Sequence, residues 1–124
     1  MAFRPKHYDL EVWKEAMRMV RIVYSVTREF PADERFGLSA QMRRAAISVP
    51  SNIAEGAACG SRAGLVRYLQ IARGSLIELD TQVWLARDLE FISKQDELAQ
   101  RFVSLFAKLN ALIASNRKAG KERK

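Results

Sequence analysis

Leu10-Glu11-Val12-Trp13-Lys14-Glu15-Ala16-Met17-Arg18-Met19-Val20-Arg21-Ile22-Val23-Tyr24 carries two apolar series side by side. Leu10, Trp13, Met17, Val20 and Tyr24 recur at spacings of three and four, as a helix seam requires. The next position is Thr27, only half apolar, and there the series fades. Val12, Ala16, Met19, Val23, Val26 and Phe30 run beside it with the same alternation. At ~100° per residue the two series span about 200° of the helix, more than the ~100° stripe that one core demands. The opposite face holds Glu11, Lys14, Glu15, Arg18, Arg21, Arg28 and Glu29, with Ile22 as the exception.

The doubling recurs. Leu65, Leu69, Ala72, Leu76, Leu79, Val83 and Ala86 form one seam, while Ile77, Trp84 and Phe91 stand seven apart on another side. Near the C-terminus Leu98, Phe102, Leu105, Leu109 and Leu112 are flanked by Ala99, Val103, Phe106 and Ile113. Such flanks point to a subunit interface in addition to a bundle core, the alternative being one wide core-facing stripe.

Punctuation divides the chain into helices over 8–30, 34–59, 62–90 and 94–117. Pro31 cannot continue the hydrogen-bond ladder of the first. Asp33 or Ser39 is expected to cap the second, with a turn at Gly37. Gly60-Ser61 reads as a C-terminal glycine followed by an N-cap, and Ser93-Lys94-Gln95-Asp96 as a variant capping box. Short loops predict an all-α, antiparallel, up-down-up-down four-helix bundle over 1–116.

The length of 124 residues suits one domain. A lone cysteine, Cys59, cannot form an internal disulfide, and no apolar run has signal-peptide or membrane-span length, so a soluble cytoplasmic protein is expected. The net charge is +7, and the last eight residues alone hold five basic groups against one acid. The tail over 117–124 therefore reads as a disordered basic arm, suited either to touching phosphate or simply to solubility.

Catalytic chemistry finds no residues to carry it. The single histidine, His7, and the lack of any Glu-x-x-His pair exclude a di-iron carboxylate centre, and no glycine-rich phosphate loop is present. Cys59 has no histidine nearby in sequence to activate it. No catalytic residue, metal ligand or cofactor site is assigned. The double Gly-x-x-x-Gly spacing at Gly56, Gly60 and Gly64 signifies close backbone approach or a helix break.

The second helix is unusual. Pro50 removes one hydrogen bond and should bend it, with Ser48, Ser51 and Asn52 at hand for the freed backbone groups. Arg44, Ser48, Asn52 and Glu55 form a polar stripe that reads as a network fixing helix register, or else as a ligand or protein contact. Glu55 is expected to pair with Arg73 or Arg44, within a subunit or across an interface.

Asp9-Leu10-Glu11-Val12-Trp13-Lys14-Glu15-Ala16, Phe30-Pro31, the run from Gly37 through Gln41-Met42-Arg43-Arg44-Ala45-Ala46-Ile47-Ser48-Val49-Pro50-Ser51-Asn52-Ile53-Ala54-Glu55-Gly56, and Ile71-Ala72-Arg73-Gly74-Ser75-Leu76-Ile77-Glu78-Leu79 resemble a bacterial four-helix-bundle family. That family is named for proteins encoded in intervening sequences of 23S ribosomal RNA genes. The resemblance implies a ring of five antiparallel bundles with no established enzymatic activity. It marks Ser48, Pro50, Asn52, Glu55, Gly56, Arg73, Ser75 and Glu78 as a structural signature. The family is also similar in fold to the accessory proteins of diversity-generating retroelements, basic rings that bind a reverse transcriptase and nucleic acid. Two departures stand out: Gly64 occupies a position where the family usually has Glu, and 88–92 lacks the glycine expected before an aromatic residue.

The expected function is a non-enzymatic homo-oligomeric scaffold, a pentamer by the resemblance, whose basic surface binds RNA or a nucleic-acid enzyme. Its electrostatic contacts would be Arg18, Arg21, Arg28, Arg43, Arg44, Arg117, Lys118, Lys121, Arg123 and Lys124. No base-reading motif is present. The rival is a protein-interaction ring without nucleic-acid contact.

Overall fold

Helical periodicity becomes four helices: α1 (Glu11–Thr27), α2 (Leu38–Ala58), α3 (Arg62–Asp88) and α4 (Asp96–Glu122). The computed structural model describes residues 6–93 and 96–122. Among them there is no strand. Each helix packs on its neighbours in sequence and α4 closes onto α1, while among the described residues the backbones of α1 and α3, and of α2 and α4, stay apart across the core. Antiparallel order is visible in the cross-links. Ser48 meets Ser75 and Gly56 meets Tyr68 between α2 and α3, Arg73 meets Asn110 between α3 and α4, and Glu15 meets Lys108 between α1 and α4. The up-down-up-down bundle follows.

Of the two series on α1, the second is the core seam. Val12, Ala16, Met19, Val23 and Phe30 are buried, whereas Leu10, Trp13 and Val20 are partly buried and pack against the core's edge. They meet Met42, Val49 and Ile53 of α2, the expected seam of α3 from Leu69 to Ala86, and Leu98, Leu105, Leu109 and Ile113 of α4. A fully buried Leu or Ile of this kind contributes on the order of 1.5–3 kcal/mol.

The helix ends differ from the expected 8–30, 34–59, 62–90 and 94–117. A 3-10 turn at Lys6–Asp9 precedes α1. Thr27, expected to mark a fading seam, is buried, and its Oγ1 donates to the Val23 carbonyl at 2.7 Å. Thr27 is also the last residue of α1, and the chain turns before Pro31. Asp33 and Ser39 do not cap α2. Glu34 reaches from a second 3-10 turn, Ala32–Glu34, and its Oε1 accepts the Leu38 N–H at 3.0 Å. Gly37 is the N-cap residue and Ser39 is buried inside the helix.

Between α2 and α3 the expectation holds: Gly60 adopts φ +83° and the Ser61 hydroxyl accepts the Gly64 N–H at 3.1 Å. Gly64, where the resemblance implies Glu, lies against Cys59, so a Cβ there would collide with the Cys59 Sγ.

The missing glycine in 88–92 has a structural answer. Glu90 takes φ +61°, the left-handed conformation that glycine adopts freely. The Phe91 N–H reaches back to the Ala86 carbonyl at 2.9 Å and the Glu90 N–H to that of Arg87 at 3.0 Å, a Schellman closure of α3. Phe91 then packs on Phe30, ring centroids 5.5 Å apart. Lys94 and Gln95 of the expected capping box lie outside the described residues.

Where a disordered arm was expected over 117–124, α4 continues through Glu122. Lys, Arg, Ala and Glu are good helix formers, and cations in a last turn complement the helix dipole. Arg123 and Lys124 lie outside the described residues.

Candidate nucleic-acid interface

Lys14, Arg18, Arg21 and Arg28 are exposed on the face of α1 opposite its buried seam. No carboxylate among the described residues pairs with any of them. Of the two acids of α1, Glu11 stays exposed in the first turn beside them, whereas Glu15 turns toward α4, its Oε1 accepting from the Ser104 hydroxyl at 3.0 Å and its Oε2 ion-paired with Lys108 Nζ at 2.7 Å. With 13 % of its side chain exposed against 45 % for Lys108, Glu15 is a bridge between helices rather than a solvated charge. The outer face of α1 is thereby left with four cations against one acid, Glu11.

Arg43 and Arg44, adjacent in sequence, part ways. Arg43 turns inward, its Nε donating to Thr27 Oγ1 at 2.8 Å and its guanidinium lying 4.4 Å from the Tyr24 ring centroid. Its charge ties α2 to α1 instead of standing free for phosphate. Arg44 is exposed. Arg117 and Lys118 are exposed near the end of α4. Since Glu15 meets Ser104 and Lys108, the last turns of α4 project beyond the first residue of α1, about 1.5 Å per residue. Arg43 aside, the described cations expected to act together therefore lie on separate stretches of surface: Arg18, Arg21 and Arg28 with Arg44, and Arg117 with Lys118 on α4; Arg123, Lys124 and the Lys121 side chain lie outside the described residues.

The structural signature also divides. Ser48 Oγ and Ser75 Oγ are 2.8 Å apart across the α2–α3 seam, and Asn52 Nδ2 donates to the Ser48 carbonyl at 2.8 Å and to its hydroxyl at 3.0 Å. Ser51 Oγ likewise donates to the Ile47 carbonyl at 2.8 Å. These back-bonds flank Pro50, and α2 runs through it without interruption. A Cβ on Gly56 would sit 2.9 Å from Tyr68 Cβ, so glycine permits the close crossing of α2 and α3. Arg73 donates to Asn110 Oδ1 at 2.7 Å. Glu55 is exposed and pairs within the subunit with neither Arg73 nor Arg44. Glu78 is exposed and accepts from Gln82 Nε2 of its own helix at 3.5 Å. The polar stripe is thus a register network at Ser48 and Asn52 and a solvated edge at Glu55.

Apolar depressions remain on the outside, and two of them flank the surfaces above. One, about 270 Å³, opens between α3 and α4 over Leu79, Val83, Leu98 and Phe102, with Trp84 and Val103 at its rim. Trp84 is 58 % and Val103 66 % exposed. The other, about 330 Å³, lies between α1 and α2 along Trp13, Met17, Val20, Ile47, Pro50 and Ala54. Among the described residues no three His, Cys, Asp or Glu side chains converge as metal ligands, and no helix is long and apolar enough to cross a membrane.

The sequence pattern of the 23S rRNA-intervening sequence proteins matches residues 8–113, nearly the whole bundle, and stops short of the basic end of α4. No curated protein matches the chain.

Proposed function

From a chain that belongs to the 23S rRNA-intervening sequence protein family, we propose a non-enzymatic scaffold whose copies cover one another's apolar flanks and offer RNA a shared basic surface. The observation that carries this reading is the row Lys14, Arg18, Arg21 and Arg28, exposed and without carboxylate partners on the outer face of α1. Clustered cations attract phosphate by releasing its counterions, which gives salt-dependent binding with little sequence preference. Arg44 extends the row, and Arg117 and Lys118 form a second contact. Arg43 is left out of the set because Thr27 and Tyr24 hold it.

Self-association is supported by Trp84, Val103 and Ile77, large apolar side chains still exposed on the single subunit. The family likeness makes a ring of five the expected assembly. The same exposed groups favour the rival, a ring that binds only proteins.

Size-exclusion chromatography with light scattering and the 260/280 nm absorbance ratio, at low and high salt, tests both parts. A multimer that carries RNA at low salt and sheds it at high salt is expected. Reversing Arg18 and Arg21 to Glu should abolish RNA retention and leave the subunit number intact. Retention that ignores salt and charge reversal overturns the RNA reading in favour of the protein-only ring.

A further inference from the structure

We propose that the RNA taken by this surface is single-stranded and that the α1–α2 trough receives its bases; the inference rests on the RNA reading above. The trough holds about 330 Å³, and its walls, Met17, Val20, Ile47, Pro50 and Ala54, are apolar. Trp13 closes one end, in edge contact with His7 at 5.0 Å and tilted against Tyr8 at 5.5 Å. Tyr8 is 41 % exposed, which extends the aromatic platform outward. Ser51 Oγ is the polar group of the wall; its proton is committed to the Ile47 carbonyl, so its lone pairs face a donor such as a base N–H.

The rims carry an excess of positive charge. Lys14, Arg21 and Arg28 stand seven apart from Lys14 to the end of α1, on the side where Met17 lines the trough. On α2, Arg44 shares a face with Ile47 and Ser51 at steps of three and four, and Glu55, four residues further, is the one acid of that rim. Successive cations on α1 are about 10 Å apart by helix rise. An apolar, aromatic floor between cationic rims matches a strand whose bases are unstacked and whose phosphates run alongside. A duplex hides its base faces and would engage only the rims. A second copy meeting this face with its own would oppose like charges, and contact between copies has its own apolar face at the α3–α4 groove, where Trp84 and Val103 are exposed.

The test uses the full-length protein with Trp84→Phe, which leaves Trp13 as its only indole. It is titrated with a short oligouridylate and with an RNA duplex of equal length. Quenching of Trp13 fluorescence by the oligouridylate and not by the duplex is expected. Ala54→Leu, which fills the trough at constant charge, should weaken the oligouridylate about tenfold and leave the duplex unchanged. Ile47→Ser, at a half-exposed position the fold tolerates, should weaken it in the same direction.

Equal binding of both RNAs with a silent Trp13 overturns the inference and leaves the RNA reading standing. Absence of RNA binding at low salt overturns both. A change of subunit number on Ala54→Leu, with RNA affinity intact, also overturns it by making the trough a protein contact.

Discussion

Glu90 shows how one residue closes a helix against its own preference. Its φ of +61° brings Cβ too near the following carbonyl, a conformation that costs a side-chain-bearing residue about 1 kcal/mol. It persists because the Phe91 N–H must reach Ala86 and the Phe91 ring must meet Phe30, and both require the reversal at this position. Glu90→Gly should therefore raise stability by about 1 kcal/mol in urea unfolding. Glu90→Ala keeps the Cβ and should stay within about 0.5 kcal/mol of the parent. Equal gains from both variants would assign the effect to charge instead of strain. Arg43 is the opposite case, a residue whose surroundings answer it fully: Thr27 accepts its Nε–H and Tyr24 faces its guanidinium. Thr27 in turn gives its own proton to Val23, so the three groups form one closed chain of donors and acceptors between α1 and α2.

At the scale of elements, the α2–α3 seam is the most extensive contact in the bundle. Small residues permit it: Ala45, Ala46, Ala72 and Gly56 are buried there or beside it, and Ser48 and Ser75 join hydroxyls across it. Two glycines separate packing from propensity. Gly56→Ala would press a methyl to 2.9 Å from Tyr68 Cβ, backbone-anchored and unable to swing away. Overpacking of that kind outweighs the gain in helix propensity, and a net loss of about 1–2 kcal/mol is expected. Gly74, exposed in α3 with nothing within 4 Å of an added Cβ, should gain about 0.5–1 kcal/mol as Gly74→Ala. Urea midpoints that moved the same way in both variants would sink the close-crossing argument. Much of this was legible beforehand: Gly60-Ser61 announces its turn, the α3 seam is buried from Leu69 to Ala86, and the helix count follows from periodicity. What was not legible depends on partners distant in sequence. Thr27 looked like the end of a stripe because its partner, Arg43, lies sixteen residues away. Arg43 counted as a surface cation for the same reason. Glu15 shared a charged face with Arg18, and Ser104 and Lys108, its partners, belong to another helix. The cap from Glu34 reaches out of a 3-10 turn that leaves no 3.6-residue period to read.

One exposed apolar groove of the molecule lies away from the cation row of α1. Trp84 and Val103, 58 % and 66 % exposed, rim the α3–α4 groove, while the charged row follows the outer face of α1. Replacing an exposed apolar group by a charge alters a lone subunit little, within about 0.5 kcal/mol. The same change at the centre of a contact between copies leaves a charge to be desolvated, which association does not tolerate. Trp84→Glu with Val103→Glu should accordingly keep the urea transition of the subunit and reduce the mass measured by light scattering to that of one chain, 14.1 kDa. An unaltered multimer would show that another face joins the copies. The separation of the two surfaces also fixes how assembly bears on RNA. In the proposed ring the α1 row would recur once per subunit, so one strand would meet several rows, and avidity would rise on the order of 100-fold with no new contact in any subunit. Dissociating the ring through the α3–α4 groove should therefore weaken RNA binding by about that factor although every cation on α1 remains. Measuring affinity at matched subunit concentration for the parent and the double variant checks it: a tenfold loss or less would mean that a single α1 row holds the strand by itself.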